Sequence, residues 1–217
     1  MHEFCDFVLA EWISNVETIA CDMNADFERA FLKRHPHLSV VYDCFHIVKN
    51  FNEKVICKVR KDEQARLKEE SNAEAVRALK HSTYILMSGA DTRKRKERDA
   101  RAGKVVSRGS ALFGKQEVLQ KGGARERYKE LISQNELLAA CDIVGEMLSR
   151  AYGYRQEKRM RDAMERVVEV CRGTKDRHFA RLVESHMDGI IAHARHHISS
   201  GRVEVTNCMI KTLRRAG

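Results

Sequence analysis

The sequence contains very little proline, with Pro36 as the only one among 217 residues. Proline and frequent glycine mark the turns of all-β folds, whereas long stretches without proline favour helices. A β-sandwich or β-barrel is therefore excluded, and we expect a chain that is predominantly α-helical.

The sequence also lacks a long apolar run. No window of about 18 apolar residues is present, which argues against a membrane-spanning helix. The start of the chain, Met1 to Asp6, has neither the basic residues nor the apolar stretch of a signal peptide. We therefore expect a cytoplasmic protein that makes no contact with a membrane.

Patterned cysteines and common catalytic motifs are missing as well. The chain has 7 cysteines, and none of them form a Cys-x-x-Cys pair, which argues against a disulfide framework and a zinc site. We expect reduced thiols that act as small apolar side chains. No phosphate-binding loop, dinucleotide-binding fingerprint or nucleophile elbow is present.

Positive charge, by contrast, is abundant in one segment. Residues 93–129 hold 13 Lys and Arg against 4 Asp and Glu, so the net charge of +9 lies in this segment. Such a density favours a polyanion, because each neutralised phosphate releases condensed counterions. Five glycines predict a loop here, and a solvated loop that binds nothing is the alternative. The expected DNA-binding residues are Arg93, Lys94, Arg95, Lys96, Arg98, Arg101 and Lys104.

The first part of the chain has the pattern of a βαβ unit. Residues 16–21 and 38–42 alternate like short strands, and an amphipathic helix lies between them, with Asn24 as its expected N-cap. A carboxylate follows each strand, Asp22 after the first and Asp43 after the second. Ligands of such units tend to bind at the carboxyl ends of the strands. Helices are expected over most of the remaining chain, at 125–152, 156–171, 177–198 and 202–214.

Three carboxylates are candidates for chemistry, and Asp22 has a position that suits a metal ligand. Asp22 and Asp43 end the two strands, and Glu204 falls in the first turn of the last predicted helix. Hard oxygen ligands suit magnesium, and two such ions can activate a water or a 3′-hydroxyl in phosphodiester chemistry. The structural alternatives are a turn role for Asp22 and a helix cap for Asp43, with His46 as an ordinary histidine of the first turn.

A histidine pair near the C-terminus suggests a metal site at first sight. His193 and His197 are four residues apart and would share one helix face. No acidic residue lies between them and no third ligand is evident, so we favour a solvated helix face.

Several motifs resemble one known family when they are taken together. They are Asp22-Met23, residues 40–49 with Asn52, Lys121-Gly122-Gly123, Arg127-Tyr128, Ala151-Tyr152, residues 186–194 and 198–204, Asn207, Ile210-Lys211 and Arg214-Arg215. In this combination and order they resemble the DDE transposases of the ISL-three insertion-sequence family. The resemblance covers nearly the whole chain.

The resemblance implies specific roles for the carboxylates. In the family, two aspartates and one glutamate bind two Mg²⁺ ions, and Asp22 matches the second aspartate while Glu204 matches the glutamate. Asp43 and His46 match an accessory Asp-x-x-His element. The first aspartate has no counterpart here, because Asp6, the only aspartate before Asp22, lies in a helical pattern.

The resemblance also implies a fold class, which is α/β with a large helical insertion. We expect an incomplete RNase H-like fold, predominantly helical overall, that is truncated at both ends. The expected parts are residues 1–62 as the α/β segment, 63–175 as the helical insertion with a basic loop at 93–129, and 176–217 as C-terminal helices with Glu204.

Two functions follow from this resemblance. The first is a transposase fragment for DNA transposition, inactive alone because the first aspartate is missing, or acting as a split enzyme that receives it from another chain. The alternative is a non-catalytic DNA-binding or inhibitory protein that assembles with a full-length transposase. The expected partners are double-stranded DNA at transposon ends and, in addition, a second copy of the chain or a full-length transposase.

Overall fold

The computed structural model describes residues 10–23, 25–110, 114–173, 177–198, 206 and 209–214. Helices dominate these ranges, and none of the helices found there has the length and apolar character needed to cross a membrane. The elements in chain order are α1 (Ala10–Ser14), β1 (Thr18–Cys21), α2 (Ala25–Arg34), β2 (Ser39–Tyr42), α3 (Cys44–Asn50), a π-helical segment (Phe51–Ile56), α4 (Cys57–Glu69), α5 (Ala73–Leu79), α6 (Thr83–Leu86), α7 (Ala90–Arg101), β3 (Val105–Ser110), β4 (Gly114–Leu119), α8 (Ala124–Ser133), α9 (Glu136–Ala151), α10 (Glu157–Gly173), α11 (Arg177–Ser185) and α12 (Met187–His196).

The chain divides into two compact units. Unit 1 comprises residues 1–51 and 143–217, and unit 2 comprises residues 52–142. Unit 1 contains β1 and β2, and unit 2 contains the β3–β4 hairpin. The division into functional parts at residues 62 and 175 stays a prediction.

The βαβ unit expected from the sequence is confirmed in unit 1. Strands β1 and β2 pair in parallel, from Thr18 opposite Ser39 to Cys21 opposite Tyr42, with α2 as the connection. Phe31 of α2 and Leu38 are buried, and Val16 and Ile19 pack against them. The apolar side of the helix therefore covers the short sheet, as the period of its apolar residues requires. The expected N-cap, Asn24, lies outside the described residues.

Several predicted helix bounds were wrong. The helix expected over 125–152 is two helices, because the side chain of Asn135 accepts a hydrogen bond from the Leu138 amide at 2.9 Å and starts α9 as an N-cap. The helix expected over 177–198 is likewise two, with His186 between α11 and α12. Residues 83–86 form the short helix α6. Within the predicted helix at 202–214, Thr206 and residues 209–214 are described, and all of these are helical.

Unit 2 has a core of its own and one buried carboxylate. Glu63 is 6% exposed and accepts hydrogen bonds from Asn135 at 2.7 Å and from Arg66 at 3.0 Å. A buried carboxylate is tolerated when it is paired and hydrogen-bonded in this way. Glu63 therefore links α4 to the start of α9 and serves the fold of the unit.

Helix α12 packs on β2 through a glycine. Tyr42 at the end of β2 is 3% exposed, its ring meets the ring of His186 edge-on at 5.1 Å, and its hydroxyl donates to the Glu28 carboxylate. A Cβ at Gly189 would overlap the Tyr42 ring. The close approach of the helix to the strand therefore requires glycine at this position.

We predict that Gly189→Ala destabilises the protein. The methyl group would have to displace a buried ring that is held on two sides, and overpacking of this kind costs about 1–3 kcal/mol. Chemical denaturation monitored by circular dichroism measures the change in the free energy of unfolding.

Gly145→Ala is the matched control for this substitution. Gly145 lies within α9, and a Cβ there would meet the Phe51 ring at 3.6 Å, which is an ordinary contact. Because alanine favours helix by up to ~1 kcal/mol over glycine, this variant should be neutral or more stable. Equal effects of the two substitutions would contradict the packing explanation.

Candidate functional site

Two aspartates lie at the same edge of the β1–β2 sheet. Asp22 directly follows β1 and Asp43 directly follows β2, and the last residues of the two strands, Cys21 and Tyr42, are paired. The carboxyl ends of parallel strands meet at one edge, which is where ligands of α/β units bind. Asp22 is exposed, whereas Asp43 is only 4% exposed.

Asp43 is a helix cap, which the sequence analysis gave as the structural alternative for this residue. One oxygen of its carboxylate accepts a hydrogen bond from the Phe45 amide at 3.1 Å, so Asp43 is the N-cap of α3. His46 lies in the first turn of α3, half-buried, with its ring edge-on to Phe45 at 5.4 Å. The cap does not exclude a second role, and the accessory function of Asp43 and His46 stays a prediction.

Asp43 acts electrostatically on a buried tyrosine and a half-buried histidine, whose contact with each other the sequence did not predict. Tyr152 and His193 stack edge to face with ring centroids 5.2 Å apart. Burial, followed by electrostatic interaction with Cys44 and Asp43, raises the pKa of Tyr152. Burial and Asp43 raise the pKa of Cys44 to about 11. The strand end is therefore a low-dielectric environment in which the phenol and the thiol stay neutral at pH 7.

We expected His193 to lie on a solvated helix face, and this was wrong, because its side chain is half-buried. Its pKa is lowered by burial and by His197, while Asp43 acts in the opposite direction. Within the described ranges, neither His193 Nδ1 nor the Tyr152 hydroxyl has a hydrogen-bond partner. Tyr152 and His193 are 41 positions apart in the sequence. The spacing of nearby residues therefore could not predict that their rings are in contact.

We predict that His193 makes the protein less stable in mild acid. A histidine in the unfolded chain titrates near pH 6.5, and the pKa of His193 is lower in the folded protein. Below about pH 6.5 the unfolded state then binds more protons, so the stability present above that pH is lost as the pH falls. Urea titrations between about pH 7 and pH 5 should show a shallower loss for His193→Gln than for the parent. His178→Gln, at an exposed position on α11, is the control and should follow the parent. Identical pH profiles for all three proteins would contradict the prediction.

Two further groups lie beside Asp22. Burial, then Glu28, then Asp22 raise the pKa of the Cys21 thiol to about 12. The hydrogen bond from Tyr42 holds the Glu28 carboxylate in place. Among the residues that the structure describes, no group of three His, Cys, Asp or Glu side chains could hold a metal ion. Glu204 lies outside the described residues, so its predicted proximity to Asp22 stays a prediction.

The described part of the basic segment, residues 93–110 and 114–129, is ordered, and the expectation of a loop at 93–129 was wrong. It comprises most of α7, the antiparallel β3–β4 hairpin and the first half of α8. Gly103, Gly109 and Gly114 have positive φ angles, which glycine adopts without strain, and two of them, Gly109 and Gly114, lie in strands. The Glu97 carboxylate accepts a hydrogen bond from the Gly123 amide at 3.1 Å, which ties α7 to the start of α8.

The seven predicted DNA-binding cations fall into two groups. The Arg93 guanidinium is 8% exposed, lies 3.4 Å from the centre of the Tyr128 ring and donates to the Ser88 carbonyl. Lys96 lies 4.3 Å above the Tyr84 ring, and Lys104 pairs with Asp99 at 3.4 Å. The cations that are exposed along α7 are Lys94, Arg95, Arg98 and Arg101. We call these four residues the basic face.

The family of the chain follows from comparison with known proteins. A family model described as "Transposase", for DDE transposases of the ISL3 (ISL-three) type, matches residues 1–217. The chain belongs to this transposase family. It is similar to the transposase for insertion sequence element IS1001 of Bordetella parapertussis, with 24% identity over 203 residues, which are 92% of this chain and 43% of that protein. The chain thus spans less than half the length of this curated relative. No solved structure matches it.

Membership of the transposase family implies a site for divalent metal ions. DDE transposases generally use divalent metal ions, and carboxylate oxygens are the ligands that Mg²⁺ prefers. Asp22, which is exposed at the carboxyl end of β1, has the chemistry and the access that such a ligand needs. Asp43 is less suited, because its carboxylate already caps α3 and is buried.

Proposed function

We propose that the chain forms part of the catalytic domain of a DDE transposase that acts on double-stranded DNA at transposon ends. The family match over residues 1–217 is the observation that carries this proposal. The parallel β1–β2 pair with Asp22 at its carboxyl edge supports it, because that edge is where a metal-dependent site of an α/β unit would lie. An RNase H-like arrangement around this pair is part of the proposal.

In the proposed site, Asp22 and Glu204 would hold the divalent ion. A bound pair of such ions activates the attacking oxygen and stabilises the leaving oxygen of a phosphodiester. Asp43 fixes the start of α3 through its cap, and His46 lies in the same first turn. The residues therefore divide into two metal-ligand candidates and two positioning candidates.

Residues 1–217 supply two carboxylates that match the family, and a third would be needed for cleavage. We therefore propose that the 217-residue chain is inactive by itself. Two carboxylates without the third would leave the metal pair under-coordinated. They could not fix it in the geometry that in-line displacement requires.

The second candidate function is DNA binding without catalysis, for example as an inhibitor that assembles with a full-length transposase. The observation that favours it is the concentration of the net positive charge in one ordered segment of unit 2. Such a surface can bind duplex DNA whatever the state of the carboxylates in unit 1.

An assay with two arms separates these functions. In the first arm, the chain alone is tested for binding and for nicking of DNA that carries transposon ends. In the second, a segment from a family member that carries the first aspartate is added. Binding without nicking in both arms favours the regulator, and nicking restored in the second arm favours the split catalytic domain. The absence of any DNA binding would reject both functions.

A further inference from the structure

A cleft in unit 1 lies outside the site described above. It has a volume of about 560 Å³, and its walls come from the connection between α9 and α10 and from the end of α12. The lining residues are Arg155, Gln156, Glu157, Ala194, Arg195 and His197. None of them belongs to the basic segment at 93–129.

Buried contacts fix both walls of this cleft. The connection starts at Tyr152, which packs on His193 of α12, and it turns through a hydrogen bond from the Gly153 amide to the Arg150 carbonyl at 3.0 Å. On the other wall, Ala194 is 2% exposed, and the His197 amide donates to the His193 carbonyl at 2.9 Å. The backbone positions that carry the cationic side chains are therefore set by the core.

The cleft gathers positive charge without matching negative charge. Its lining includes two arginines and a histidine against Glu157 alone. Arg155 and Arg195 are exposed, and neither forms an ion pair with another described residue. Two other arginines of unit 1, by contrast, form ion pairs, Arg161 with Asp188 at 2.9 Å and Arg172 with Glu184.

Two arginines that face one space are suited to a tetrahedral oxyanion. The guanidinium group is planar and presents several N–H donors in a fixed fork, which matches the geometry of phosphate. A bound phosphate would also relieve the repulsion between the cations that converge here. The open shape of the cleft on the surface admits a phosphate that belongs to a polymer.

We propose that this cleft binds a backbone phosphate of duplex DNA, through Arg155 and Arg195 with His197 at its edge. The proposal rests on the proposed function, because it takes DNA as the substrate. It adds a DNA contact in unit 1, the unit that carries the aspartates of the β1–β2 edge, to the basic face of unit 2. His197 also lies seven positions before Glu204 in the chain, so this contact would hold DNA on the segment that leads to the proposed metal ligand.

The test measures duplex binding by fluorescence anisotropy at several salt concentrations. Arg155→Gln with Arg195→Gln should weaken binding about tenfold or more and lower the slope of log K against log salt by about two. The control removes the same charge elsewhere in unit 1, through Arg166→Gln with Arg181→Gln, both at exposed positions outside the cleft. The control should keep the affinity and slope of the parent.

A charge-conserving variant distinguishes the loss of a phosphate contact from misfolding of the glutamine variant. Arg155→Lys with Arg195→Lys should keep the salt slope and lose affinity, because lysine retains the charge but not the bidentate geometry. Affinity and slope equal to the parent in both cleft variants would overturn the proposal while leaving the proposed function intact. A parent that binds no DNA would instead overturn both.

Free phosphate is the other source of the same ligand chemistry. Calorimetric titration with inorganic phosphate distinguishes it from DNA. Binding of inorganic phosphate that is lost in the glutamine variant, together with unchanged DNA binding, would assign the cleft to a small phosphate and overturn the proposal. Loss of DNA affinity with the lower salt slope supports it.

Discussion

Replacing the basic face with alanine is expected to weaken the binding of duplex DNA by roughly 10- to 100-fold at moderate salt. Lys94, Arg95, Arg98 and Arg101 are exposed along one ordered helix, so each can reach a phosphate without rearrangement of the backbone. Each lost phosphate contact removes about 0.9 from the salt slope, and four lost contacts should lower it by about three to four. The loss should be the same for every DNA sequence, because phosphate contacts carry no sequence information.

The control for the basic face must remove equal charge from the same unit. Lys54, Lys58, Lys61 and Lys68 are exposed and lie on or next to α4, outside the segment that carries the net charge. Their replacement with alanine changes the net charge by the same amount and should leave the salt slope nearly unchanged. Equal losses in the two variants would mean that net charge alone drives binding and that the basic face has no special role.

Arg93 belongs to neither set, although it lies in the same run of cations. Its guanidinium is buried against the Tyr128 ring and bonded to the Ser88 carbonyl. A variant that includes Arg93→Ala would mix a defect in folding with a defect in DNA binding. The basic face is therefore tested with Arg93 intact.

The second large effect concerns cleavage. The 217-residue chain alone, with Mg²⁺ or Mn²⁺ and DNA that carries transposon ends, is expected to give no nicking above background. When a family segment with the first aspartate restores nicking, Asp22→Asn and Glu204→Gln should each lower the rate by roughly 100- to 1,000-fold, as the loss of one group that stabilises developing charge does elsewhere. The two losses should not add, because ligands of one metal pair act as a unit.

Asp62→Asn is the matched control, since Asp62 is an exposed carboxylate on α4. It should leave the restored activity unchanged. Nicking by the chain alone that disappears when Asp22 and Glu204 are both replaced would reject the proposed inactivity. It would mean that Asp43 or a second copy of the chain completes the site.

Local sequence patterns predicted the part of the fold in which local rules decide the structure. The alternation at residues 16–21 and 38–42 predicted both strands, and the position of Asp43 before an apolar helix indicated the cap as one of two roles. These features depend on side chains that are close in sequence, so period and capping rules are sufficient to find them. The family resemblance rested on motifs and was confirmed over the whole chain.

The basic segment shows where local rules fail. Its glycines were interpreted as signs of a loop, yet Gly109 lies in β3, Gly114 begins β4 and Gly123 directly precedes α8. The order of α7 depends on contacts of Arg93 with Tyr128 and of Glu97 with Gly123, which join positions far apart in the chain. Composition gives the charge of such a segment, but tertiary contacts decide whether it folds.

The same limit applies to the chemistry of the site. Tyr152 had no motif role beyond the resemblance, and His193 was interpreted as solvated, but the fold brings both rings together beside Asp43. The cleft of Arg155 and Arg195 likewise joins two helix ends that are 40 positions apart in the chain. No spacing rule covers pairs of this kind, because their distance is set by the packing of α9, α10 and α12.

We propose that Asp22 and Glu204 are ligands of one metal site. Two ions about 4 Å apart, each about 2 Å from its oxygen ligands, place the carboxylates of one site within about 8 Å of each other. A crystal structure of the chain grown with Mn²⁺, with anomalous scattering recorded, measures that distance directly. We predict carboxylates within about 8 Å, with any anomalous peak between them; a separation above about 10 Å would contradict the assignment.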